Sequence, residues 1–308
     1  MAATADHKVT VSAPNYATAS HSAELGSLST LRTETALTTG AVRADDKDGW
    51  QLTIPVGQRR ERTLTLTNDG SSAPYTVAEK SGASWLKITP ASGTLAPGAQ
   101  QAVTLTFDTS AATPGTVYKG TLVITSQSAR TPSFSLPLKL VVPAYQQGVD
   151  VGADFASVDE LGDAWNADRS YSEGGFGFTG KNTALTYTRQ DITGAGGAAA
   201  QQLLRSGREG VSEYRFDNVP SGVYQVELGF AEAAGTKPGA RVFDVLGEGT
   251  EKVPDVDVRL ESGGARTALF KTFTVKVTDG QLNVDFEAIA GKTLVNSIRV
   301  TQRPDLTG

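Results

Sequence analysis

Residues 222–232 read GVYQVELGFAE, in which each second side chain from Tyr224 to Phe230 is apolar and the positions between are polar or glycine. Two further stretches, TLTLT at 63–67 and VTLTF at 103–107, alternate an apolar face with a threonine face. A period of two is typical of strands that bury one face of a sheet and expose the other to water. These stretches predict an all-β chain, with Tyr224, Phe230 and Phe243 in its core.

The composition of the 308-residue chain agrees with strands and excludes several classes of function. Hydrophobic residues make up 39% and charged residues 20%, which is typical of globular domains, and the 33 glycines favour strands and turns over helices. The net charge of −5 provides no basic surface for nucleic acid or anionic membranes. Without cysteine, the chain has no disulfide, Cys-ligated zinc or Cys nucleophile. The chain contains no run of about 18 apolar residues, the length that a membrane-spanning helix requires.

Residues 1–48 are rich in Ala, Ser and Thr, and we expect a flexible leader or the remnant of a preceding domain, with one loose strand around residues 8–12. The start of the chain lacks the basic and apolar regions of a signal peptide. Because Met1 is the one methionine, we interpret the chain as a fragment. An export signal would then lie upstream in a longer parent protein.

Residues 49–143 contain short alternating segments separated by turn residues, which predicts an Ig-like β-sandwich. The predicted strands are 50–56, 62–68, 75–80, 86–89, 102–108, 120–126 and 134–142. The motif WLKITPASGTLAPG at 85–98 resembles bacterial Ig-like modules of the BACON type, which recur as spacers in secreted enzymes. Trp85 lies beside Leu86 and Ile88, and we expect it to anchor the core rather than bind a ligand.

A short linker at 144–148 precedes a segment of different character, residues 149–303, followed by a tail at 304–308. This segment carries four motifs, which are DAWNADRSYSEGGFGF at 163–178, GVYQVELGFAE at 222–232, RVFDV at 241–245 and a final apolar strand at 295–300. In order and spacing these motifs resemble malectin domains, which are carbohydrate-binding modules, across 149–302. The resemblance implies a malectin-like jelly-roll β-sandwich after the Ig-like one.

The tandem of Ig-like and malectin-like modules is similar to the C-terminal tails of secreted bacterial subtilisin-like peptidases. That resemblance implies a non-catalytic accessory region of a secreted, extracellular bacterial protein. Any peptidase activity would belong to a missing upstream domain.

Sugar-binding sites place flat aromatic rings against a pyranose and fix its hydroxyls with a few polar groups. The loop at 163–178 combines such rings and polar groups with glycines that allow sharp turns. In the malectin resemblance, Trp165 stands where family members often place a binding tyrosine, and Tyr214 matches a tyrosine beside the groove. The predicted site for an oligosaccharide or cell-wall glycan comprises Trp165, Asn166, Asp168, Tyr171, Phe176, Phe178, Tyr187, Arg208 and Tyr214.

Two positions depart from the family pattern. At 211–213 the family pattern has an aromatic residue, whereas this chain reads VSE. At 290–294 this chain reads AGKTL and lacks the ligand-binding acid of animal malectin. The alternative is therefore a structural or protein-interaction appendage, acting as spacer, folding aid or docking module for a protein partner or the parent catalytic domain.

We find no catalytic motif and predict no cofactor. His7 and His21 both lie in the leader, and no Gly-x-Ser-x-Gly elbow is present. Asp255 and Asp257 are interpreted as surface charges rather than a glycosidase pair. Asp244, Glu232 and Arg241 are expected to form internal polar contacts.

A structural calcium ion is a minor alternative at Asp45, Asp46 and Asp48. These residues lack the first acid and the closing Glu of an EF-hand loop.

Overall fold

The computed structural model describes residues 5–25, 30–186, 190–232 and 235–307. Strands account for 53% of the structure and helices for 3%, which confirms the predicted all-β class. The first compact unit comprises Met1–Leu52, Arg59–Ala111 and Tyr118–Leu140. The second unit comprises Thr53–Gln58, Ala112–Val117 and Val141–Gly308.

The N-terminal segment forms a hairpin in which β1 (Ala5–Val11) pairs antiparallel with β2 (Ala19–Leu25). Strand β1 overlaps the strand predicted around residues 8–12. Strand β3 (Val42–Ala44) joins the first sandwich by pairing with the segment that ends at Asn68. The sandwich therefore begins upstream of Trp50, where we expected the first strand.

The first sandwich consists of two sheets. Its remaining strands are β4 (Trp50–Thr53), β5 (Arg59–Asn68), β6 (Ala73–Glu79), β7 (Leu86–Thr89), β8 (Ser92–Leu95), β9 (Gln100–Asp108), β10 (Thr116–Ser126) and β11 (Ser133–Val142). One sheet has the order β4-β11-β10-β6-β8 and the other the order β3-β5-β9-β7. Short strands β3 and β8 are additions to the predicted set.

The core of this sandwich follows the alternation read from the sequence. Leu64, Leu66, Leu105 and Phe107 are fully buried, whereas the threonines of β9 are partly exposed. Trp85 is 8% exposed and its ring stacks on Phe107 with centroids 6.0 Å apart, which confirms its role in the core. Burying each such side chain contributes about 1.5–3 kcal/mol.

The second sandwich holds the remaining elements of the described chain. They are β12 (Gln146–Asp150), β13 (Ser157–Val158), β14 (Ala164–Ala167), β15 (Phe176–Thr179), β16 (Thr183–Thr186), α1 (Ala198–Leu203), β17 (Ser206–Glu209), β18 (Glu213–Asp217), β19 (Gly222–Ala231), β20 (Val242–Gly247), β21 (Thr250–Val256), α2 (Val258–Glu261), β22 (Ala268–Val277), β23 (Gln281–Ala290), β24 (Leu294–Val295) and β25 (Ser297–Gln302). Strand β12 begins at Gln146, inside the segment 144–148 that we predicted as a linker.

These strands form a six-stranded sheet, β13-β14-β12-β25-β19-β22, a five-stranded sheet, β15-β18-β23-β20-β21, and a small sheet, β16-β17-β24. On β19, Tyr224 and Phe230 are fully buried in the core, and the Phe230 ring lies 5.9 Å from that of Phe243. Glu227 and Gly229 alternate with these residues and lie on the opposite side of β19. We call that side the outer face of the six-stranded sheet.

Helix α2 is capped by Asp257, whose carboxylate accepts hydrogen bonds from the backbone N–H groups of Leu260 and Gly239. The interpretation of Asp257 as a surface charge was wrong, because its cap places it in a buried position. Neither helix in the described part of the chain is long and apolar enough to cross a membrane.

Candidate functional site

The predicted site residues do not form one exposed loop, because several of them belong to strands on different sheets. Trp165 and Asn166 lie on β14 of the six-stranded sheet, whereas Phe176 and Phe178 lie on β15 of the five-stranded sheet. Tyr187 falls outside the described residues. The other eight residues divide among three places in the second sandwich.

Trp165 is 7% exposed, contrary to our expectation of an exposed ring. Strand β14 pairs in parallel with β12, which sets Trp165 opposite Gly148. A Cβ atom at Gly148 would lie 3.0 Å from the indole ring, so the missing side chain makes room for it. The indole Nε1–H donates to Asp159 Oδ2 at 3.1 Å, and the Arg299 guanidinium lies 5.4 Å from the ring centroid. Trp165 is therefore held by its neighbours with one edge accessible.

Asp168 is the centre of a second group and is nearly sealed, with a side chain 1% exposed. Its Oδ2 accepts hydrogen bonds from Arg208 Nε at 2.5 Å and from the Gly152 N–H at 2.7 Å. Its Oδ1 accepts from the Tyr214 hydroxyl and the Arg169 N–H, both at 2.9 Å. A carboxylate with four donors is satisfied within the protein, so Asp168 organises this region instead of presenting free acceptors.

Arg208 and Tyr214 complete the same group from β17 and β18. The Arg208 guanidinium lies 3.5 Å above the Phe178 ring centroid, and its Nη1 donates to Asn182 Oδ1 at 2.7 Å. Tyr214 is fully buried, and burial, followed by the charge of Asp168, raises the pKa of its hydroxyl well above the ordinary value. Phe178 meets Tyr214 edge-on at 6.3 Å. The group is a packed cation–π and hydrogen-bond cluster.

Tyr171 forms the third place together with Asp217, and Phe176 lies in the core next to it. The Tyr171 hydroxyl donates to Asp217 Oδ2 at 2.6 Å, and this hydrogen bond raises the pKa of the hydroxyl. Phe176 stacks on Phe216 at 6.1 Å, while the Arg169 guanidinium covers its other side at 3.8 Å. Phe176 is therefore buried in the core, and its ring is not presented to solvent.

A groove that the sequence analysis missed lies on the outer face of the six-stranded sheet. It has a cavity volume of about 220 Å³. Its lining residues are Asp159, Glu160, Leu161, Trp165, Ala200, Leu203, Leu204, Glu227, Leu228, Gly229, Phe270, Ser297 and Arg299. We call this cavity the outer-face groove, and of the predicted residues it contains Trp165.

The exposed ring in the outer-face groove belongs to Phe270, whose side chain is 54% exposed. On β22, Phe270 shares the side of Thr272, Thr274 and Lys276, whereas Phe273 and Val275 face the core. An aromatic residue in the polar phase of an alternating strand is the sequence signal that could have identified it. Opposite Phe270 in the register stands Gly229. A Cβ atom at Gly229 would lie 3.0 Å from Leu204 and 3.3 Å from the Phe270 ring, so the missing side chain lets these two groups pack close to the strand.

Helix α1 forms the wall across from Phe270 and is fastened by Glu160. The Glu160 Oε1 atom accepts a hydrogen bond from the backbone N–H of Ala199 at 2.8 Å. This contact satisfies one of the free N–H groups at the start of the helix. Leu203 and Leu204 therefore present an apolar wall to the groove.

Arg299 marks the polar end of the groove. Its Nε donates to Glu227 Oε2 at 2.7 Å, and its Nη1 lies 3.6 Å from Asp159 Oδ2 and 3.5 Å from Asp163 Oδ2. Burial lowers the pKa of Arg299, but the hydrogen bond that it donates to Glu227 and the charges of the nearby carboxylates outweigh this effect and raise the pKa. The groove thus joins an apolar half to a charged, hydrogen-bonding half.

A second charged network surrounds Arg241 near the start of β24. Arg241 pairs with Glu232 at 2.8 Å and with Glu209 at 2.6 Å, and Lys292 pairs with Glu209 at 2.8 Å. Glu232 and Arg241 are buried, which confirms the internal contact predicted for them. Lys292 belongs to the stretch 290–294, which lacks the acid of animal malectin, and it pairs with Glu209, an acid on β17.

Among the described residues, no group of three or more His, Asp or Glu side chains is arranged to hold a metal ion. The Asp46 carboxylate accepts hydrogen bonds from the backbone N–H groups of Asp48 and Gly49, as in a capped turn. Asp45 likewise accepts from the Thr65 N–H. These contacts account for two of the three acids considered for calcium.

Two known protein families match parts of this chain. Residues 146–308 match the malectin domain, and residues 51–136 match a viral BACON domain. The chain belongs to the malectin domain family. A malectin domain supports a non-catalytic, carbohydrate-binding type of module.

Individual relatives cover parts of the chain. Receptor-like protein 4 of Arabidopsis thaliana is 30% identical over 152 residues, which are 46% of this chain and 24% of that protein. The β-glucuronidase of Bacteroides uniformis aligns with a TM-score of 0.46 and 18% identity over 86% of this chain and 30% of its own. The ANX2 ectodomain of Arabidopsis thaliana aligns with a TM-score of 0.43 and 13% identity, over 87% of this chain and 89% of its own. The chain thus spans less than a third of the first two, and structural likenesses of this size carry no functional inference.

Proposed function

We propose that this chain is a non-catalytic accessory region of a secreted bacterial protein and that its malectin domain binds carbohydrate in the outer-face groove. The observation that carries the proposal is the exposed Phe270 ring, which faces a cavity bounded by the polar groups of Glu227, Ser297 and Arg299. An oligosaccharide or cell-wall glycan is the ligand class we infer.

The groove offers the two kinds of contact that a sugar requires. The Phe270 face can pack against the C–H side of a pyranose, and the apolar wall of α1 excludes water from it. At the other end, the carboxylate of Glu227, the hydroxyl of Ser297 and the guanidinium of Arg299 can hydrogen-bond to ring hydroxyls. Trp165 also lines the groove and adds aromatic surface to it.

A matched pair of substitutions tests this proposal. Phe270→Ala removes the exposed ring, and we expect affinity for the best ligand of a glycan array to fall about tenfold. Ile289→Ala is the control, because Ile289 is equally exposed, at 56%, on β23 of the other sheet. Isothermal titration gives both affinities. The proposal fails if the unmodified chain binds no glycan, or if the two substitutions weaken binding equally.

A second candidate is the structural or protein-interaction appendage without glycan binding. It is supported by the satisfied Asp168 cluster and by the apolar side chains of Phe155, Val158 and Leu161, which are exposed within seven residues on and around β13. Apolar groups exposed together are typical of protein-binding surfaces. This candidate predicts an empty glycan array, together with a lower secretion yield of the parent protein when these 308 residues are deleted.

The order of the two modules supports a third, finer inference, that the parent is a secreted subtilisin-like peptidase. A BACON-type match at 51–136 precedes the malectin match at 146–308, as in the tails that the sequence resembles. The parent reading frame tests it, since a subtilisin-like catalytic domain is expected upstream.

A further inference from the structure

Acidic side chains dominate the polar half of the outer-face groove. Asp159, Glu160 and Glu227 line it, and Arg299 is the basic residue among its described lining groups. Asp163, which is buried, reaches Arg299 from the side at 3.5 Å. The carboxylates therefore outnumber the guanidinium, and the low-dielectric walls of a cleft concentrate such a field.

The positive charge of Arg299 is already committed to these acids. Glu227 accepts its Nε–H at 2.7 Å, while Asp159 and Asp163 lie within 3.6 Å of its Nη1. A ligand carboxylate or sulfate that approached Arg299 would have to displace one of these partners. The displaced carboxylate would then remain partly buried without its counter-charge, which is costly.

A cationic group on the ligand meets the opposite situation. An ammonium group near Glu227 gains a favourable interaction, because the contact described for this carboxylate is the Arg299 Nε–H on one oxygen, Oε2. Asp159, whose oxygens already accept hydrogen bonds from N–H groups of the protein, adds its negative charge to the field without offering a free acceptor. Neutral hydroxyls neither gain nor lose this charge interaction. The same groove thus distinguishes three classes of sugar by charge alone.

We propose that the outer-face groove selects amino sugars over neutral sugars, and neutral sugars over uronic acids. The inference rests on the proposed function, because it concerns the ligand of the same groove. Phe270 supplies contact area to all three classes equally. The carboxylates around Arg299 set the order among them.

The test compares methyl glycosides of glucose, galactose and mannose with their 2-amino and uronic acid counterparts, at about pH 6 where the amine is protonated. Titration of the unmodified chain, followed by NMR, is expected to give at least about tenfold tighter binding for the amino sugar than for the uronate. Raising the salt concentration should shrink this ratio, because salt screens charges at a partly exposed site.

The outcomes separate the two claims. If neither the glycan array nor any of the nine glycosides gives binding, both the proposed function and the charge selectivity fail. If an array glycan binds but none of the nine glycosides does, the charge selectivity fails and carbohydrate binding stands. If neutral sugars bind but the uronates bind as tightly as the amino sugars or tighter, the selectivity is overturned and carbohydrate binding stands.

A charge-removing variant adds a second readout. Glu227→Gln should reduce the amino-over-uronate ratio several-fold, since it removes the negative charge that attracts an ammonium group and repels a carboxylate. Glu251→Gln is the matched control, because Glu251 is exposed on β21 of the other sheet. An unchanged ratio in Glu227→Gln, with retained circular dichroism, overturns the assignment of selectivity to this carboxylate.

Discussion

The buried hydroxyl of Tyr214 donates a 2.9 Å hydrogen bond to Asp168 Oδ1 and so links a core ring of the five-stranded sheet to the end of β14 in the six-stranded sheet. Arg208 binds the other oxygen of the same carboxylate from the small sheet. Residues from all three sheets of the second sandwich therefore depend on one acid, and this dependence can be measured.

Tyr214→Phe should destabilise the protein by about 1.5–3 kcal/mol, because it removes a hydrogen bond to a charged and buried acceptor. Tyr224→Phe is the matched control, since Tyr224 is equally buried and its hydroxyl donates to the neutral Pro220 carbonyl at 2.7 Å. That loss is expected to cost only about 1 kcal/mol. Urea unfolding measures both values, and equal losses would contradict a special role for Asp168.

Asp150 is expected to make the stability of the second sandwich depend on pH. Burial raises its pKa from 3.8 to about 6, with the Ser206 hydrogen bond opposing the rise and the charge of Asp168 adding to it. The folded state thus holds the proton more tightly than the unfolded state. This contribution is fully present below about pH 4 and is lost as the pH rises through about 6, on the order of 3 kcal/mol in total.

The Asp150→Asn variant should remove that loss. Relative to the variant, the unmodified protein is expected to lose unfolding free energy between about pH 4 and pH 7. Asp154→Asn is the control, because Asp154 is exposed four residues away. If the stability curves of Asp150→Asn and the unmodified protein run parallel over this range, the prediction is wrong.

Gly148→Ala should displace the Trp165 ring. The added methyl group would lie 2.9 Å from the Ala164 carbonyl oxygen and 3.0 Å from the indole, so we expect a destabilisation of about 1–3 kcal/mol and a shifted tryptophan fluorescence maximum. In a Trp165→Leu background the same substitution should cost less, because the smaller side chain leaves space. Additive effects in this double-mutant cycle would mean that the two residues are not in contact.

Most strands could be predicted from the sequence, because the alternation of apolar and polar residues depends only on near neighbours in the chain. Trp85 could be assigned to the core from its neighbours Leu86 and Ile88, and its contact with Phe107 agrees. Trp165 was predicted as a binding residue from the polar groups around it in the loop at 163–178 and from its place in the malectin pattern. Its burial comes from Gly148 and Arg299, which the strand pairing brings near from distant positions.

The candidate groove was harder to predict than the fold, because its walls come from separate segments. Phe270 carried a usable signal, a ring on the polar side of β22. The position of Leu203 opposite it depends on how α1 is fastened, and a six-residue helix with no basic or acidic ends gives little indication of that.

The fastening of α1 by Glu160 has a consequence for engineering. Glu160 accepts a hydrogen bond from Ala199 across 39 residues of sequence and so ties the start of the helix to the segment that follows β13. Shortening this acid by one methylene, as in Glu160→Asp, would draw the helix closer or release it, without altering the aromatic side of the cleft. A substitution at position 160 is therefore expected to change the width of the outer-face groove, and with it the thickness of the ligand that fits, by moving the helix and not the aromatic ring.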